Sequence, residues 1–370
     1  MRHRAWLLAS VVLLGLAAWL MSRGDSKATS PKKARVEFPR HPQLPDMERN
    51  ARRQTLPPPP QTDPRAERQP RPMRDPLLTA LPTGRATSAV VVEASAIKES
   101  PAGKLWLDCM LANSDMDSFD ELKDEFGIDV LEDIDRVAAA SGPLVVVSGQ
   151  FPSARLDSLR RNRRAHGARG TLFEEEEGRS PVIGLWGDGL LLIGQDAQAV
   201  EAAIDRLEDK VAPAPPVIPE WASYGDAYGV LSAEDIADVL EGSEPEIAER
   251  LRDAVGQVEL HIDASEDVAI VADVTGPVAA DVDDLGKTLG TAISLGRLKA
   301  QADGEEQLGE LLDLARVSPR DGRFSMDLAL PLPMIEKAMG RCRERRRNGA
   351  APGEQPPGGA ARGGEAGEAR

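Results

Sequence analysis

The hydrophobic pattern divides the chain into five segments. Residues 5–21 carry no charge and consist mainly of Leu, Ala and Val, and residues 89–342 carry enough apolar side chains to bury a core. The remainder is poor in large apolar residues. We therefore predict a transmembrane signal-anchor at 1–22, a disordered, proline-rich, basic linker at 23–88, two α+β halves at 89–212 and 213–342, and a disordered tail at 343–370.

In the first half, alternating and continuous apolar runs predict strands, and 3.6-residue periodicity predicts helices. A capping box at Ser118-x-x-Glu121 marks one helix start, and Gly187-Asp188-Gly189 is a strong hairpin turn. The predicted strands are Ala89–Ile97, Lys104–Ala112, Ile134–Ala140, Leu144–Gln150, Pro181–Trp186 and Leu190–Gly194, and the predicted helices start near Ser118, near Ser153 and at Asp196.

The second half repeats this style after the bridge Pro213–Pro219. Its predicted strands are Ala227–Leu231, Val255–Ile262, Val268–Val274 and Phe324–Leu330, and its predicted helices follow Ser232 and cover Val278–Ala302, Glu305–Arg316 and Pro333–Cys342. Hairpins followed by helices predict an α+β fold in which antiparallel β-hairpins have helices packed on one face. The recurrence of this order raises the hypothesis of two similar halves.

The apolar run at 5–21 is long enough to reach about 25 Å as a helix, the short end of a membrane span. Trp6 and Trp19 lie near its ends, where indoles favour the headgroup region. Neither a small-x-small cleavage site nor a cysteine follows closely, so we predict an uncleaved anchor and membrane attachment through residues 5–21.

The sequence gives two opposing signals for the side of the membrane on which the folded domain lies. The basic residues just downstream of the apolar run favour a cytoplasmic domain by the positive-inside rule. A basic N-terminus ahead of a short apolar core resembles an export signal instead. A long spacer would also allow an exported domain to cross the periplasmic space. We favour a bacterial inner-membrane protein with a periplasmic domain.

Charge is distributed unevenly along the chain. Residues 23–88 contain 14 Lys or Arg and 7 Asp or Glu, whereas residues 89–342 contain 23 and 50. The acidic part repels phosphates, so we predict no nucleic-acid partner. It suits a cationic partner, or it serves solubility. Thirteen prolines between Pro31 and Pro82 favour an extended linker, either a spacer across an envelope layer or a featureless connection.

A resemblance to known proteins rests on three stretches. These are Phe126–Val137, the following Gly149-Gln150-Phe151, and the Gly187-Asp188-Gly189 hairpin with its helix. They are similar to a pattern in uncharacterised bacterial envelope proteins that have a single N-terminal anchor. The resemblance implies the architecture and an envelope location, and it transfers no activity and no site.

Motifs that carry chemistry are absent from the sequence. It contains no His-Glu-x-x-His, Cys-x-x-Cys or Gly-x-Ser-x-Gly, and Asp281 replaces a glycine that a phosphate loop ending in Lys287-Thr288 requires. The oxygen-bearing cluster from Asn113 to Asp120 is explained by the nearby helix start. We predict no catalytic residue, metal or cofactor. His261 alternates along a strand with acidic residues and is predicted to face solvent.

Two groups of residues remain as candidates. One is arginine-rich and could form an anion-binding or partner-binding face, or pair with the acidic strip Glu174–Glu177: Arg155, Arg160, Arg161, Arg163 and Arg164. The other is the pair Cys109 and Cys342, which could form a disulfide that closes a large loop or remain two separate buried thiols.

These observations predict a membrane-tethered binding or scaffold protein without enzymatic activity. The alternative is a tethered hydrolase whose catalytic residues are scattered in sequence, with a serine or paired carboxylates near His261 or His166. A third hypothesis places the domain in the cytoplasm beside a basic partner.

Overall fold

The structure is a computed structural model of the chain. It describes Phe38 and residues 74–84, 87–113, 128–129, 131–142, 144–151, 162–174, 181–212, 214–241, 245–337 and 339. The predicted anchor, most of the linker, the helices expected near Ser118 and Ser153, and the tail all lie outside these residues. Among the residues described, no helix is both long and apolar enough to cross a bilayer.

The fold is α+β, as predicted, and is built on one antiparallel sheet. Its strand order is β11-β12-β10-β9-β8-β1-β2-β3-β7-β6-β5-β4. The strands are β1 Ala89–Glu93, β2 Ile134–Ala140, β3 Leu144–Gly149, β4 Asn162–His166, β5 Gly170–Glu174, β6 Val182–Trp186, β7 Leu190–Gly194, β8 Ala227–Ser232, β9 Gln257–Asp263, β10 Val268–Thr275, β11 Ala315–Arg320 and β12 Arg323–Leu330.

Several helices accompany the sheet. They are α1 Pro76–Ala80, α2 Ala94–Glu99, α3 Pro101–Asn113, α4 Ala197–Leu207, α5 Ala233–Leu240, α6 Pro245–Ala254, α7 Ala279–Asp303, α8 Glu306–Leu314 and α9 at 332–337, with a 3₁₀ turn at Glu220–Ala222. Side-chain caps begin three of them, because Asp75, Asp196 and Ser232 each accept a backbone N–H in the first turn of α1, α4 and α5.

Strands β1 and β8 join the two parts of the chain. They pair antiparallel from Ala89 opposite Val230 to Val92 opposite Ala227. The hydrogen-bond ladder therefore runs without interruption from residues before the bridge Pro213–Pro219 to residues after it. The ranges 89–212 and 213–342 contribute to one sheet rather than two.

The sheet has two faces, which the strand register defines. Paired residues share a face, so Val91, Tyr228, His261 and Val271 lie on one face, which we call face A. Leu231, Val258, Val274 and Phe324 lie on the opposite face B.

Helices lie on both faces, so the prediction of one helix-covered face is wrong for the whole sheet. In the first half, Leu77 of α1 and Val200 of α4 join a core on face A. In the second half, Val282 and Leu285 of α7 pack with Phe324 on face B. The apolar strand positions that the helices cover thus lie on face A in the first half and on face B in the second half.

The hairpins predicted from alternation and turn residues are confirmed. The pairs β2–β3, β6–β7 and β9–β10 all form, and α4 follows its hairpin as expected. Gly187 adopts φ +60 in the β6–β7 turn, and a Cβ there would meet the Arg169 guanidinium at 2.6 Å. The positive φ favours glycine at this position, whereas the Arg169 side chain could move away from a Cβ.

Three predicted elements need correction. The alternating stretch Lys104–Ala112 is part of α3 and not a strand, because Pro101 starts a helix and good helix formers follow. The strand expected over Ala89–Ile97 ends at Glu93, where α2 begins. The helix expected to reach Arg316 ends at Leu314 and continues as the edge strand β11.

The boundary between linker and domain also differs from the prediction at residue 88. Helix α1 belongs to the core, since Leu77 is 0% and Leu78 2% exposed. The hairpin of β4 and β5 was not predicted either, and its short strands carry few apolar side chains on β4.

Candidate functional site

Buried polar residues gather where α1, β1, β2 and β8 meet. Asp75 precedes α1, Glu93 ends β1 opposite Arg136 of β2, and Tyr228 is paired with Val91 two residues away. We call Asp75, Glu93, Arg136 and Tyr228 the central polar cluster. It sits on face A at the junction of the two halves, which makes it the first place to look for chemistry.

Asp75 and Arg136 form a bidentate ion pair. The guanidinium nitrogens of Arg136 lie 2.5 and 3.1 Å from the carboxylate oxygens of Asp75, and both side chains are buried. Burial alone would lower the pKa of Arg136, but the charge and hydrogen bonds of Asp75, helped by Tyr228 and Glu93, raise it above its ordinary value. Arg136 is therefore a permanent cation, and it is held against the Asp75 carboxylate.

Asp75 has further bonds that tie α1 to the segment 208–226 between α4 and β8, which we call the connector. Its carboxylate accepts the Leu77 backbone N–H, and its own N–H donates to Glu220 at 3.1 Å. Next to it, Arg74 pairs with Asp209 at 2.9 Å. The short segment Arg74–Leu81 thus contacts strand, helix and connector within a few residues.

Glu93 and Tyr228 complete the cluster. The Tyr228 hydroxyl donates to the Glu93 carboxylate at 3.0 Å, and the Glu93 backbone N–H donates to the Asp226 carbonyl at 2.8 Å. The Asp226 carboxylate in turn accepts the Ala264 N–H at 2.7 Å. These bonds hold the ends of β1, β8 and β9 together, so the cluster supports the fold.

His261 occupies a different position from the predicted one. It is 1% exposed, whereas alternation with acidic residues predicted a solvent-facing side chain. Its ring stacks on Tyr224 with centroids 3.9 Å apart, and Nδ1 lies 3.3 Å from the Tyr224 carbonyl oxygen. The prediction is wrong because face A of the second half is covered although it is polar.

Acidic residues continue across face A from β9 to β12. Glu259 is directly opposite Asp273, Asp263 is opposite Ala269, and Asp327 is opposite Val271. We call Glu259, Asp263, Asp273 and Asp327 the acidic face. Burial, followed by repulsion from Asp273, raises the pKa of Glu259, and the nearby Arg323 opposes this shift.

This raised pKa gives a testable dependence of stability on pH. A carboxyl whose pKa is raised by folding stabilises the fold while protonated, and that contribution is lost as pH rises through the folded-state pKa. We expect Glu259→Gln to stabilise the protein at pH 7 by about 0.5 kcal/mol, in the range of cross-strand like-charge repulsion. Urea unfolding at pH 7 and pH 4 measures it, with the difference between variant and wild type shrinking at pH 4.

Glu249→Gln serves as the matched control for this experiment. Glu249 is exposed in the middle of α6, away from the first turn, and its substitution should leave stability unchanged at both pH values. A Glu259→Gln variant that is less stable than wild type at pH 7 would contradict the assignment.

The predicted arginine face is only partly described. Arg155, Arg160 and Arg161 lie outside the described residues, and Arg163 and Arg164 are neighbours on β4, so their side chains point to opposite faces of the sheet. Arg164 pairs with Glu174 at 2.9 Å and Glu201 at 2.6 Å. For Arg164 the arrangement matches the alternative of pairing with nearby acidic residues.

His166 belongs to the same surface network. Its Nε2 lies 2.8 Å from Asp205 and its Nδ1 3.9 Å from Glu201. Burial alone would raise the pKa of Asp205, but hydrogen bonds from His166 and Lys210 lower it. Carboxylates therefore lie near both ring nitrogens of the imidazole, and the closer of them, Asp205, is within hydrogen-bond distance.

The remaining candidates add little chemistry. Among the residues described, no group of three or more His, Cys, Asp or Glu side chains is arranged to hold a metal. Cys109 is disulfide-bonded on α3. The other cysteine of the chain, Cys342, lies outside the described residues, so its bonding stays a prediction.

Sequence reasoning missed the central polar cluster, although one local signal pointed to it. Asp75-Pro76 followed by Leu77-Leu78 is a helix start with an N-cap aspartate and a proline in the first turn. This helix start was overlooked because it lies at the end of a proline-rich stretch. The pairing with Arg136, 61 residues later, has no sequence signature.

Comparisons with known proteins add little to this geometry. No protein-family model and no curated protein matches the chain. Among solved structures, crystal form I of TP0453 is similar at a TM-score of 0.43 and 11% identity, over 72% of this chain and 98% of that one. A likeness at this level carries no argument about function.

Proposed function

We propose that the chain is a membrane-tethered protein of the bacterial inner membrane whose acidic α+β domain acts in the periplasm as a binding or scaffold module without enzymatic activity. The observation that carries the proposal is the entry of the chain into the fold. A basic, proline-rich stretch leads straight into the buried segment Arg74–Leu81, and from there into the middle of the sheet. Such a connection suits a domain held at a distance from an anchor at residues 5–21.

The buried polar groups support a role without catalysis. Arg136 and Asp75 satisfy each other, and Tyr228 donates to Glu93. Catalytic groups are instead typically aimed into a cleft with unmet bonding capacity. The buried polar groups of the central polar cluster bond to one another and thereby join the two halves.

Exposed large apolar side chains support a binding role. Trp221 is 65% exposed in the connector, and Leu295 and Leu298 are 61% and 58% exposed on α7. Trp is enriched at the centres of protein interfaces. We therefore assign the connector around Trp221 as the first surface to test for a protein partner.

Two similar halves are part of the same proposal. Among the described residues of each half, one strand is followed by two helices and a hairpin: β1, α2, α3, β2–β3 and β8, α5, α6, β9–β10. In each half the last strand then returns beside that hairpin, β7 against β3 and β12 against β10. This shared order supports an internal duplication that built a scaffold with two related surfaces.

A reporter active only in the periplasm tests the location. Fused after residue 342 of the full chain, it should be active, and a cytoplasm-dependent reporter at the same point should be inactive. The reverse pair of results would place the domain in the cytoplasm, beside a basic partner as in the third hypothesis.

The binding role is tested by crosslinking in intact cells. Trp221→Ala should keep the wild-type unfolding midpoint and lose a crosslinked species that wild type forms. Val211→Ala is the matched control, since it removes another exposed apolar side chain of the connector. Hydrolysis of ester or peptide substrates that is abolished by His166→Ala would instead favour the tethered hydrolase.

A further inference from the structure

Helix α7 carries two stripes of residues on opposite sides. The inner stripe packs on face B, where Val282 and Leu285 join the core with Phe324. Successive residues of a helix are rotated by about 100°, so a second set of residues points away from the sheet. We call these residues the outer stripe, and all of them are exposed: Asp284, Thr288, Thr291, Leu295, Leu298 and Ala302.

The outer stripe has the spacing of a seam between two paired helices. Its members recur at alternating intervals of four and three residues, as the a and d positions of a heptad do. From Thr288 to Leu298 the stripe contains no charged residue, although it lies on the side of α7 opposite the core. Single exposed leucines are ordinary, but two leucines within such a seam favour a second helix as their neighbour.

The charges of α7 indicate which helix fits. Residues 279–290 contain three Asp and one Lys, and residues 292–303 contain one Arg, one Lys and one Asp, so the two parts carry net charges of −2 and +1. A second α7 laid antiparallel sets the acidic part against the basic part, whereas a parallel copy sets like charges together. The antiparallel copy brings Asp284 within one turn of the other copy's Lys299. The helix dipoles also favour this direction.

Side-chain sizes along the outer stripe suit the same arrangement. With a two-fold axis beside residue 293, Leu295 of each copy lies next to Thr291 of the other, and Leu298 lies next to Thr288. Each leucine thus meets a smaller side chain, as knobs fitting into holes require. A two-fold axis also makes every contact occur twice, which is how most pairs of identical subunits assemble.

We propose that two copies of this chain pair antiparallel through the outer stripes of their α7 helices and form a two-fold symmetric dimer. The stripe is about 27 Å long on a helix about 10 Å wide. This footprint is smaller than the roughly 800 Å² that each partner contributes to a stable interface, so the dimer is reversible. Because α7 lies on face B, face A of each copy points away from the partner.

Cysteine crosslinking in permeabilised cells tests the pairing and its direction. The full chain carries Ala292→Cys or Ala302→Cys, both at exposed positions of α7, and is treated with a short bis-maleimide. In the antiparallel pair, the two residues 292 are about 3 Å apart along the helix axis, and the two residues 302 are about 27 Å apart. The reagent spans the roughly 8–10 Å between packed helices but not the longer distance.

We expect a covalent dimer from Ala292→Cys and, from Ala302→Cys, no more than wild type gives. Wild type sets the background, since Cys109 is disulfide-bonded. Equal dimer from both variants would indicate a parallel pair or random collision, and dimer from neither would indicate that α7 does not pair. Either result would overturn the proposal.

The outer leucines should be required for this crosslink. Adding Leu295→Gln/Leu298→Gln to the Ala292→Cys chain should lower the dimer yield at least tenfold, because the apolar seam is lost. The urea unfolding midpoint should not change, since both leucines are exposed. Leu131→Gln/Val211→Gln removes two other exposed apolar side chains and should leave the yield unchanged. An undiminished yield in the Leu295→Gln/Leu298→Gln chain would mean that another surface joins the copies.

Charge reversal tests the antiparallel direction independently. Asp284→Lys and Lys299→Glu should each lower the yield about threefold or more, and the two changes together should restore it. Asp284 also lies 3.6 Å from Arg250, but both side chains are exposed, so losing this pair costs little stability. A double variant that crosslinks no better than the single variants would contradict the antiparallel pair.

Discussion

A chain that begins at Thr87 is expected to fail to fold, whereas a chain that begins at Met73 is expected to fold as the full-length domain does. The shorter chain loses α1 with its buried Leu77, and also the buried Leu81 that directly follows α1. Each lost leucine costs about 2–5 kcal/mol, and loss of Asp75 leaves Arg136 unpaired at about 3–5 kcal/mol. Together these costs match the whole stability of an ordinary domain, about 5–15 kcal/mol.

Circular dichroism and urea unfolding of the two purified chains measure this difference. The chain from Met73 should give a cooperative transition, and the chain from Thr87 should lack one. Adding a synthetic peptide of residues 73–84 to the shorter chain should restore part of the transition. Equal stability of the two chains would mean that α1 is an accessory and not part of the core.

The second large effect is expected from Arg136→Ala. This change leaves the Asp75 carboxylate buried without its partner, and breaking such a pair from one side costs about 3–5 kcal/mol. The unfolding midpoint in urea should fall accordingly, with an unchanged slope. The double change Asp75→Asn/Arg136→Met should be clearly more stable than Arg136→Ala, because it removes both charges and keeps the N-cap of α1.

Arg164→Ala is the control for the loss of an arginine. Arg164 pairs with two glutamates, but it is exposed to solvent. Its removal should change the unfolding midpoint little, since exposed ion pairs contribute little. A large loss with Arg164→Ala, or none with Arg136→Ala, would mean that the exposed pair stabilises the fold more than the buried one.

Local patterns predicted the hairpins of this protein well. The turn at Gly187-Asp188-Gly189 and the cap at Asp196 fix the element boundaries within a few residues. The stretch Lys104–Ala112 shows the weakness of the same method. Its apolar residues alternate, yet Pro101 precedes them, and helix propensity decided the outcome.

The strand order and the faces of the sheet could not be predicted from local sequence. Alternation shows which residues of β9 share a face, but not whether that face is covered. His261 was therefore assigned to solvent, although the face that carries it is buried. Only the pairing of β1 with β8 places both halves in one sheet, and such long-range pairing leaves no mark on either strand.

The central polar cluster could not be predicted from local sequence either, because it also depends on contacts between distant residues. Asp75 and Arg136 are ordinary surface-type residues until the fold brings them together. A sequence shows that a charged residue precedes a helix or lies in a strand; it does not show which distant charge satisfies it. Buried ion pairs between remote segments are for this reason the part of a site that sequence reasoning misses first.

The mass of the protein recovered from cells tests the membrane tether most directly. Membranes washed at alkaline pH should retain a chain whose intact mass includes residues 5–21, and the wash should release none of it. A soluble chain whose N-terminus lies downstream of Met21 would contradict the tether, because the domain would then be released rather than held at the bilayer.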